Sequence, residues 1–488
     1  KARRARRQAN SIFALWFILP DLGRRLSENG HLPPIFSAKP GGLRSRRPGA
    51  DAKRGWLRPD SRLYSRNRGG KAGMRRSARC RQQPGDVDLA MIRPARFAFP
   101  AIICLVLPIA VVGPHTVVPL GVAGAVALAL DPSVRERFGA LLRGPLAVAL
   151  GCLFAWAAVS TAWAPHPGGS LFLVFQVAGV MVAGGLLAAG AECADDGARR
   201  RAIMALGLAG PVFLLLIGSE LLDGGLVARL MRGWPKGFTF NPVIYDRAAA
   251  VAAIVAWPIA FALWRRFRPR AAIVFLLLTL AFLFELEMAA ARLAFVVAAV
   301  VFAVSYWKPR AIAHAMLAVM LAGILVAPPI LVATGVGREL PAIAQDMPDN
   351  ATSVKHRLLI GQFVLKKIGE RPLTGFGFDS SRAIPGGRKA AIEGAPVLPL
   401  HPHNGILQIW LELGLPGAVI AAVIVVLVLR RMSAIEPRGP AAMANAAFAA
   451  YITIAVISFG IWQNWWLMTA WIAATLAVLA ANARPAPG

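Results

Sequence analysis

The chain has 488 residues, 57% of them hydrophobic and only 16% charged, with a mean hydropathy of +0.57. A soluble protein of this size keeps about a quarter of its residues charged, so the composition excludes a soluble domain and implies a polytopic membrane protein. The net charge of +30 is of the size expected for a nucleic-acid binder, but residues 1–90 alone hold 22 Lys and Arg against 6 Asp and Glu, and membrane topology accounts for the rest. No nucleic-acid partner is expected.

Residues 1–90 form a basic leader that begins at Lys1, not at methionine, and shows neither helical nor strand periodicity. The reading adopted is a disordered leader or upstream sequence ahead of a start at Met74 or Met91. Met91-Ile-Arg-Pro-Ala-Arg followed by an apolar run makes a natural start for a membrane protein. A lipid-gripping basic tail and a signal peptide at Ile12–Leu19 are the weaker readings. Cys80, Cys104, Cys152 and Cys193 have no CxxC spacing, so neither a disulfide framework nor a zinc site is expected.

From residue 97 onward, apolar runs follow each other at the length that crosses a hydrocarbon core of about 30 Å. They are read at 97–113, 115–130, 145–163, 170–191, 201–222, 245–264, 271–288, 291–306, 311–334, 404–430, 441–461 and 463–482. This predicts an all-α fold of about twelve transmembrane helices, with nine in residues 91–334 and three in 404–488. The loops after the second, fourth, sixth, eighth and tenth spans carry Arg135, Arg137 and Arg143, then Arg199 to Arg201, Arg265 to Arg270, Lys308 with Arg310, and Arg430 to Arg438. By the positive-inside rule both ends of the chain then lie in the cytoplasm.

Two outer loops are long. One, at about 223–244, carries Arg232 and Lys236; the other, 335–403, contains an amphipathic helix over Ser353–Ile368, with Leu358, Leu359, Phe363, Val364 and Ile368 opposing His356, Arg357, Lys366 and Lys367. A Pro372-Leu-Thr-Gly375-Phe-Gly377 turn follows, then His401-Pro-His403-Asn404-Gly405 where the loop gives way to the tenth span.

His403-Asn404, nine residues, Gly414, two residues and Gly417 resemble the signature of the O-antigen ligase family, which shares a domain with O-antigen polymerases. Arg292, Ser353 with Arg357, the Pro372–Gly377 stretch and the large loop between spans nine and ten fit the same resemblance, which covers about residues 95–482. Family members commonly carry Ser-Arg where this chain has Ala291-Arg292. The resemblance implies a C-type glycosyltransferase-like fold in the bacterial inner membrane with a periplasmic site. There, a glycan on undecaprenyl diphosphate is transferred to lipid A-core, inverting the anomeric carbon without metal or cofactor.

In that reading His403 is the general base, since imidazole titrates near neutrality, and Arg292 and Arg357 neutralise the leaving diphosphate. Asn404, His401, Arg371, Arg232 and Lys236 are the substrate-binding candidates, with Arg382 ranked beside them, and Gly414 and Gly417 support helix packing or the turn at Leu415-Pro416. Each residue also has an ordinary structural reading. His403 is then an interfacial polar residue, Asn404 a helix N-cap, Arg292 a snorkelling cation and Arg357 a solvated charge. A His401–His403 metal pair lacks further ligands at suitable spacing.

Glu285 and Glu287, two apart on a helix, point to different sides, against a paired carboxylate site. Glu412 is costly to place within a span and is expected to hydrogen-bond in the bundle. Trp462 to Trp466 read first as an aromatic belt and second as a sugar-stacking platform. A polysaccharide polymerase using the same carrier is the alternative function. A transporter is more distant, because the polar residues gather at one face and not at mid-membrane.

Overall fold

The computed structural model describes residues 95–222, 225, 229, 242–348, 351–392 and 394–482. The leader, Arg232 and Lys236 lie outside the described residues. Each of the twelve apolar runs folds as a helix, and among the described residues nine are long and apolar enough to cross a membrane. Three runs fall short of that measure. Ala95–Val112 has a short apolar stretch, Phe97–Val111, Val117–Ala129 has 13 residues, and Pro269–Glu285 has 17. The second of these turns by 109° into Pro132–Leu142, and counting the pair as one broken span gives ten. The bend is local chemistry: the Asp131 side chain accepts from Ser133 N at 2.9 Å, and Pro132 occupies the first helical position, so a new helix starts there.

The Asp246–Arg266 helix lies at the centre, with 89% of its membrane window buried. Its run of small residues, Ala248 to Ala250, Ala252, Ala253, Ala256, Ala260 and Ala262, lets neighbouring helices approach closely.

Helix Ala289–Trp307 starts at a polar cavity and ends at Lys308, where the basic loop meets the Glu436–Arg438 turn through an Arg310–Glu436 ion pair. Helix Arg438–Ile457 runs back, so that Val456 to Ser458 line the same cavity. Nineteen residues of helix span about 28 Å, which places the cavity and this basic loop pair at opposite ends of a membrane-thick bundle. The protein is a multi-pass membrane protein.

At the cavity end, Thr352–Glu370 forms the expected amphipathic helix, and His356 Nε2 donates to the Pro396 carbonyl at 2.9 Å, tying it to a short antiparallel hairpin of Ala390–Ile392 and Ala395–Pro396. Its buried side carries Leu358, Ile360, Val364, Leu365 and Ile368.

The Gly405–Ser433 helix is broken at Gly414, whose φ of 61° and ψ of −156° are not helical. Pro416 has no N–H, and Leu415 N donates to Pro372 O at 3.0 Å, so the carbonyls of Leu411 and Glu412 lose their usual intrahelical donors. Phe376 N and Gly377 N replace them, each at 2.9 Å, and Trp156 Nε1 donates to Leu413 O at 2.9 Å. The Pro372–Gly377 segment is thus laid onto the break, and residues 405–414 are buried throughout.

Candidate active site

A cavity of about 400 Å³ lies where the Thr352–Glu370 helix, the start of the Gly405–Ser433 helix and the ends of three bundle helices meet. Arg292, Arg357, His403 and Asn404 line it together with Asp246 and Glu287. Three residues assigned to chemistry from the sequence, separated by up to 111 positions, therefore share one chamber.

His403 has a φ of 54°, the left-handed region that non-glycine residues seldom occupy. Two contacts hold it there. Its backbone N–H donates to His401 Nδ1 at 3.2 Å, and its own Nδ1 lies 2.7 Å from the Ser458 carbonyl. A carbonyl only accepts, so His403 Nδ1 carries the proton and the neutral ring keeps a lone pair on Nε2. Burial, then the Arg357 charge, lowers the His403 pKa to about 4, with the Ser458 hydrogen bond opposing them. The ring is neutral at physiological pH and able to accept a proton at Nε2.

Arg357 is half-buried, and burial draws its pKa below the ordinary guanidinium value. The sequence places it on the solvated side of a surface helix, whereas the cavity encloses it. Arg292 is also half-buried, with its guanidinium 5.7 Å from the Phe284 ring centroid and within electrostatic reach of Asp246. These two cations bring permanent positive charge to the chamber lining, as an anion site requires.

Glu285 and Glu287 are not paired, as expected, but they do not share one helix. The helix ends at Glu285 and Leu286 is extended, so Glu287 stands in a break between helices, where it lines the cavity and couples electrostatically to Asp246. The carboxylate pair is Asp246 with Glu287, which sequence reasoning did not find. The signal available was Asp246-Arg247, a charged pair at the entrance of a span.

The remaining candidates separate. Asn404 is the N-cap: its carboxamide oxygen accepts from Ile406 N and Leu407 N, both at 3.0 Å. Any substrate contact then falls to its amide nitrogen. Asn404→Ala is expected to cost about 1 kcal/mol of stability, with Asn404→Asp retaining most of it, as thermal unfolding in detergent would read.

His401 is buried beneath Gly460 and does not line the cavity; its pKa, lowered to about 3 by burial and by His403, keeps it neutral as an acceptor for the His403 amide. Arg371 is exposed, stacked 4.8 Å from the Phe376 ring, and is not among the cavity residues. Arg382 pairs with Asp379 at 3.0 Å, again outside the cavity lining. Among the described residues no group of three metal-ligating side chains occurs.

The tryptophan cluster is neither a belt nor an exposed platform. Trp462, Trp465 and Trp466 are buried, Trp466 stacking on Tyr451 at 4.5 Å and Trp462 packing on Phe378 at 4.9 Å.

Fold and site together define a predominantly helical, multi-pass membrane protein whose polar chamber combines a neutral histidine with two guanidiniums. Within that class, residues 274–422 match the family described as O-antigen ligase, and the resemblance read from the motif around His403 holds. The chain is 31% identical over 273 residues to a protein of Rickettsia conorii named "Putative polysaccharide ligase", covering 54% of this chain and 64% of that relative. A Rickettsia felis protein of the same name is 29% identical over 331 residues, 67% of this chain and 78% of its own. One from Rickettsia prowazekii is 41% identical over 132 residues, 26% of this chain and 33% of its own.

Proposed function

We propose that this protein is a membrane glycosyltransferase of the O-antigen ligase type, which moves a glycan from undecaprenyl diphosphate to a sugar of lipid A-core at the periplasmic face of the inner membrane. The observation that carries the reading is the shared cavity, in which His403, with Nδ1–H held by the Ser458 carbonyl, faces the same space as Arg292 and Arg357. The periplasmic orientation rests on the basic loops at the opposite end.

In the proposed step, an acceptor hydroxyl oxygen bonds to the anomeric carbon as its proton passes to His403 Nε2. The bond from that carbon to the diphosphate oxygen breaks, and its electron pair leaves with the diphosphate. Arg292 and Arg357 stabilise the charge that develops on the leaving oxygen. Attack from the side opposite the leaving group inverts the anomeric centre in one displacement, with guanidinium charge doing the neutralising. Asp246 and Glu287, which line the same cavity, offer acceptors to sugar hydroxyls.

The electrostatics predict a pH signature. Arg357 disfavours imidazolium, and a bound diphosphate offsets that charge and raises the His403 pKa in the complex. kcat/KM is therefore expected to stay level from neutral pH down to about 5 and to fall below about 4, where His403 protonates in the free enzyme. The acid limb of kcat should lie at higher pH than that of kcat/KM. Arg357→Gln should move the kcat/KM limb upward, toward the ordinary histidine value, and an unmoved limb would count against the coupling.

The deciding test is a transfer assay with purified protein and undecaprenyl diphosphate-linked glycan, offered lipid A-core or a second carrier-linked glycan. Product only on lipid A-core establishes the ligase. Lengthening on the carrier makes the protein a polymerase, and substrate movement without transfer makes it a transporter.

A further inference from the structure

Glu412 is fully buried nine residues after His403, and it does not line the cavity. Every hydrogen bond it makes is with a donor, while the Asp379 carboxylate couples to it electrostatically as a like charge. Oε2 accepts from Asp379 N at 3.0 Å and Trp462 Nε1 at 2.7 Å; Oε1 accepts from Gln408 Nε2 at 3.0 Å, Ser381 N at 3.4 Å and the Ser381 hydroxyl. Five donors converging on two oxygens form an acceptor-only site, for which a carboxylate is suited and an amide is not.

Two of these donors reach the loop at residues 458–463. Trp462 does so directly, and Gln408 does so through its own oxygen, which accepts from Ile461 N at 2.9 Å. That loop presents the Ser458 carbonyl to His403 Nδ1, and its Gly460 lies so close under the His401 ring that a Cβ there would come within 3.0 Å of Cδ2. It therefore touches both histidines, at the atom that sets the tautomer of one and under the ring that holds the backbone of the other.

We infer that Glu412 is a positioning residue for His403, acting through Gln408 and Trp462 on the 458–463 loop to hold the Ser458 carbonyl where it fixes the Nδ1–H tautomer. The inference rests on the proposed role of His403 as base. The second set of contacts, to Asp379 and Ser381, belongs to a different segment, the turn that follows Gly377. The two arms can be cut separately.

The test is transfer kinetics across pH on purified Glu412→Gln, Gln408→Leu and Ser381→Ala proteins, with undecaprenyl diphosphate-linked glycan as donor and lipid A-core as acceptor. Glu412→Gln keeps the shape but turns two donors toward an NH2 group, and Gln408→Leu cuts the link to Ile461. Both should lower kcat about 10- to 100-fold, the scale of a small misplacement of a reacting group, with donor KM nearly unchanged. Both should also move the acid limb to lower pH, because the Ser458 bond raises the His403 pKa. Ser381→Ala should stay within about threefold of the parent, since it leaves the 458–463 arm intact.

Nitrogen NMR of labelled histidine gives an independent reading, with a single Nδ1–H tautomer for His403 in the parent and a mixture in Glu412→Gln. Should Glu412→Gln fold poorly, Gln408→Leu carries the same prediction. Parent-like kcat and tautomer in the folded variants overturn the inference, and so does a Ser381→Ala loss equal to that of Gln408→Leu. An active His403→Ala protein would instead remove the base assignment on which all of this stands.

Discussion

His403→Ala is expected to lower glycan transfer by about 10²- to 10⁴-fold, the usual contribution of a positioned general base, while leaving the protein folded. The side chain hydrogen-bonds to the Ser458 carbonyl, and its ring packs 4.4 Å from that of His401, so alanine removes the proton acceptor and little of the core. The loss should appear in kcat with donor binding retained, since Arg292 and Arg357 stay in place. The check is the two-acceptor transfer assay, with unfolding midpoint and donor binding measured on the same preparation. Retention of more than about a tenth of the parent rate would be incompatible with base catalysis by this residue.

Gly414→Ala is expected to be the most damaging single-methyl change in the motif. At φ 61° and ψ −156° the backbone occupies a region that is essentially glycine-only, and an added Cβ would sit 2.4 Å from the Leu373 carbonyl oxygen. The facing residue offers no relief, because a Cβ on Gly375, itself at φ 63°, would meet the Glu412 carbonyl at 2.5 Å. The expected cost is about 3 kcal/mol or more, with loss of the Pro372–Gly377 segment from the helix break, reduced yield of folded protein and no transfer. Gly417→Ala should be milder because its backbone is not in the left-handed region, although its Cβ would come 2.2 Å from the Leu413 Cβ and the helix must shift there too. Thermal unfolding of the two variants side by side checks the order, and a larger drop for Gly417→Ala would contradict it.

How much of this was legible varies residue by residue. The apolar runs predicted helices at the right places because hydropathy over about twenty residues decides where a chain enters a bilayer, whatever it later packs against. The Thr352–Glu370 helix was legible from periodicity. The span count was less so: Pro132 after Asp131 starts a new helix and turns the chain by 109°, and a hydropathy window averages over such a bend.

Sequence alone does not separate a cap from a substrate contact at Asn404; the structure shows the cap, because whether a side-chain oxygen turns back to its own helix depends on the backbone angle at that residue. Glu285 and Glu287 are not paired, but the reason is the end of the helix at Glu285 and not two faces of one continuous helix. The tryptophans from 462 to 466 looked interfacial by composition, yet the partners that bury them, Phe378 and Tyr451, come from elsewhere in the chain.

By itself the sequence determined the class of the protein, the position of its helices, the polarity of their connecting loops and the motif that marks one end of the bundle, since each depends on residues close together along the chain. Only the tertiary structure decided that Arg292, Arg357 and His403 share one cavity with Asp246 and Glu287. It also set the tautomer of His403 through a carbonyl 55 residues away, and it gathered five donors onto Glu412. Those outcomes depend on which distant segments meet, and a tautomer or a buried carboxylate is stabilised by the groups that packing brings to it and not by its neighbours in sequence.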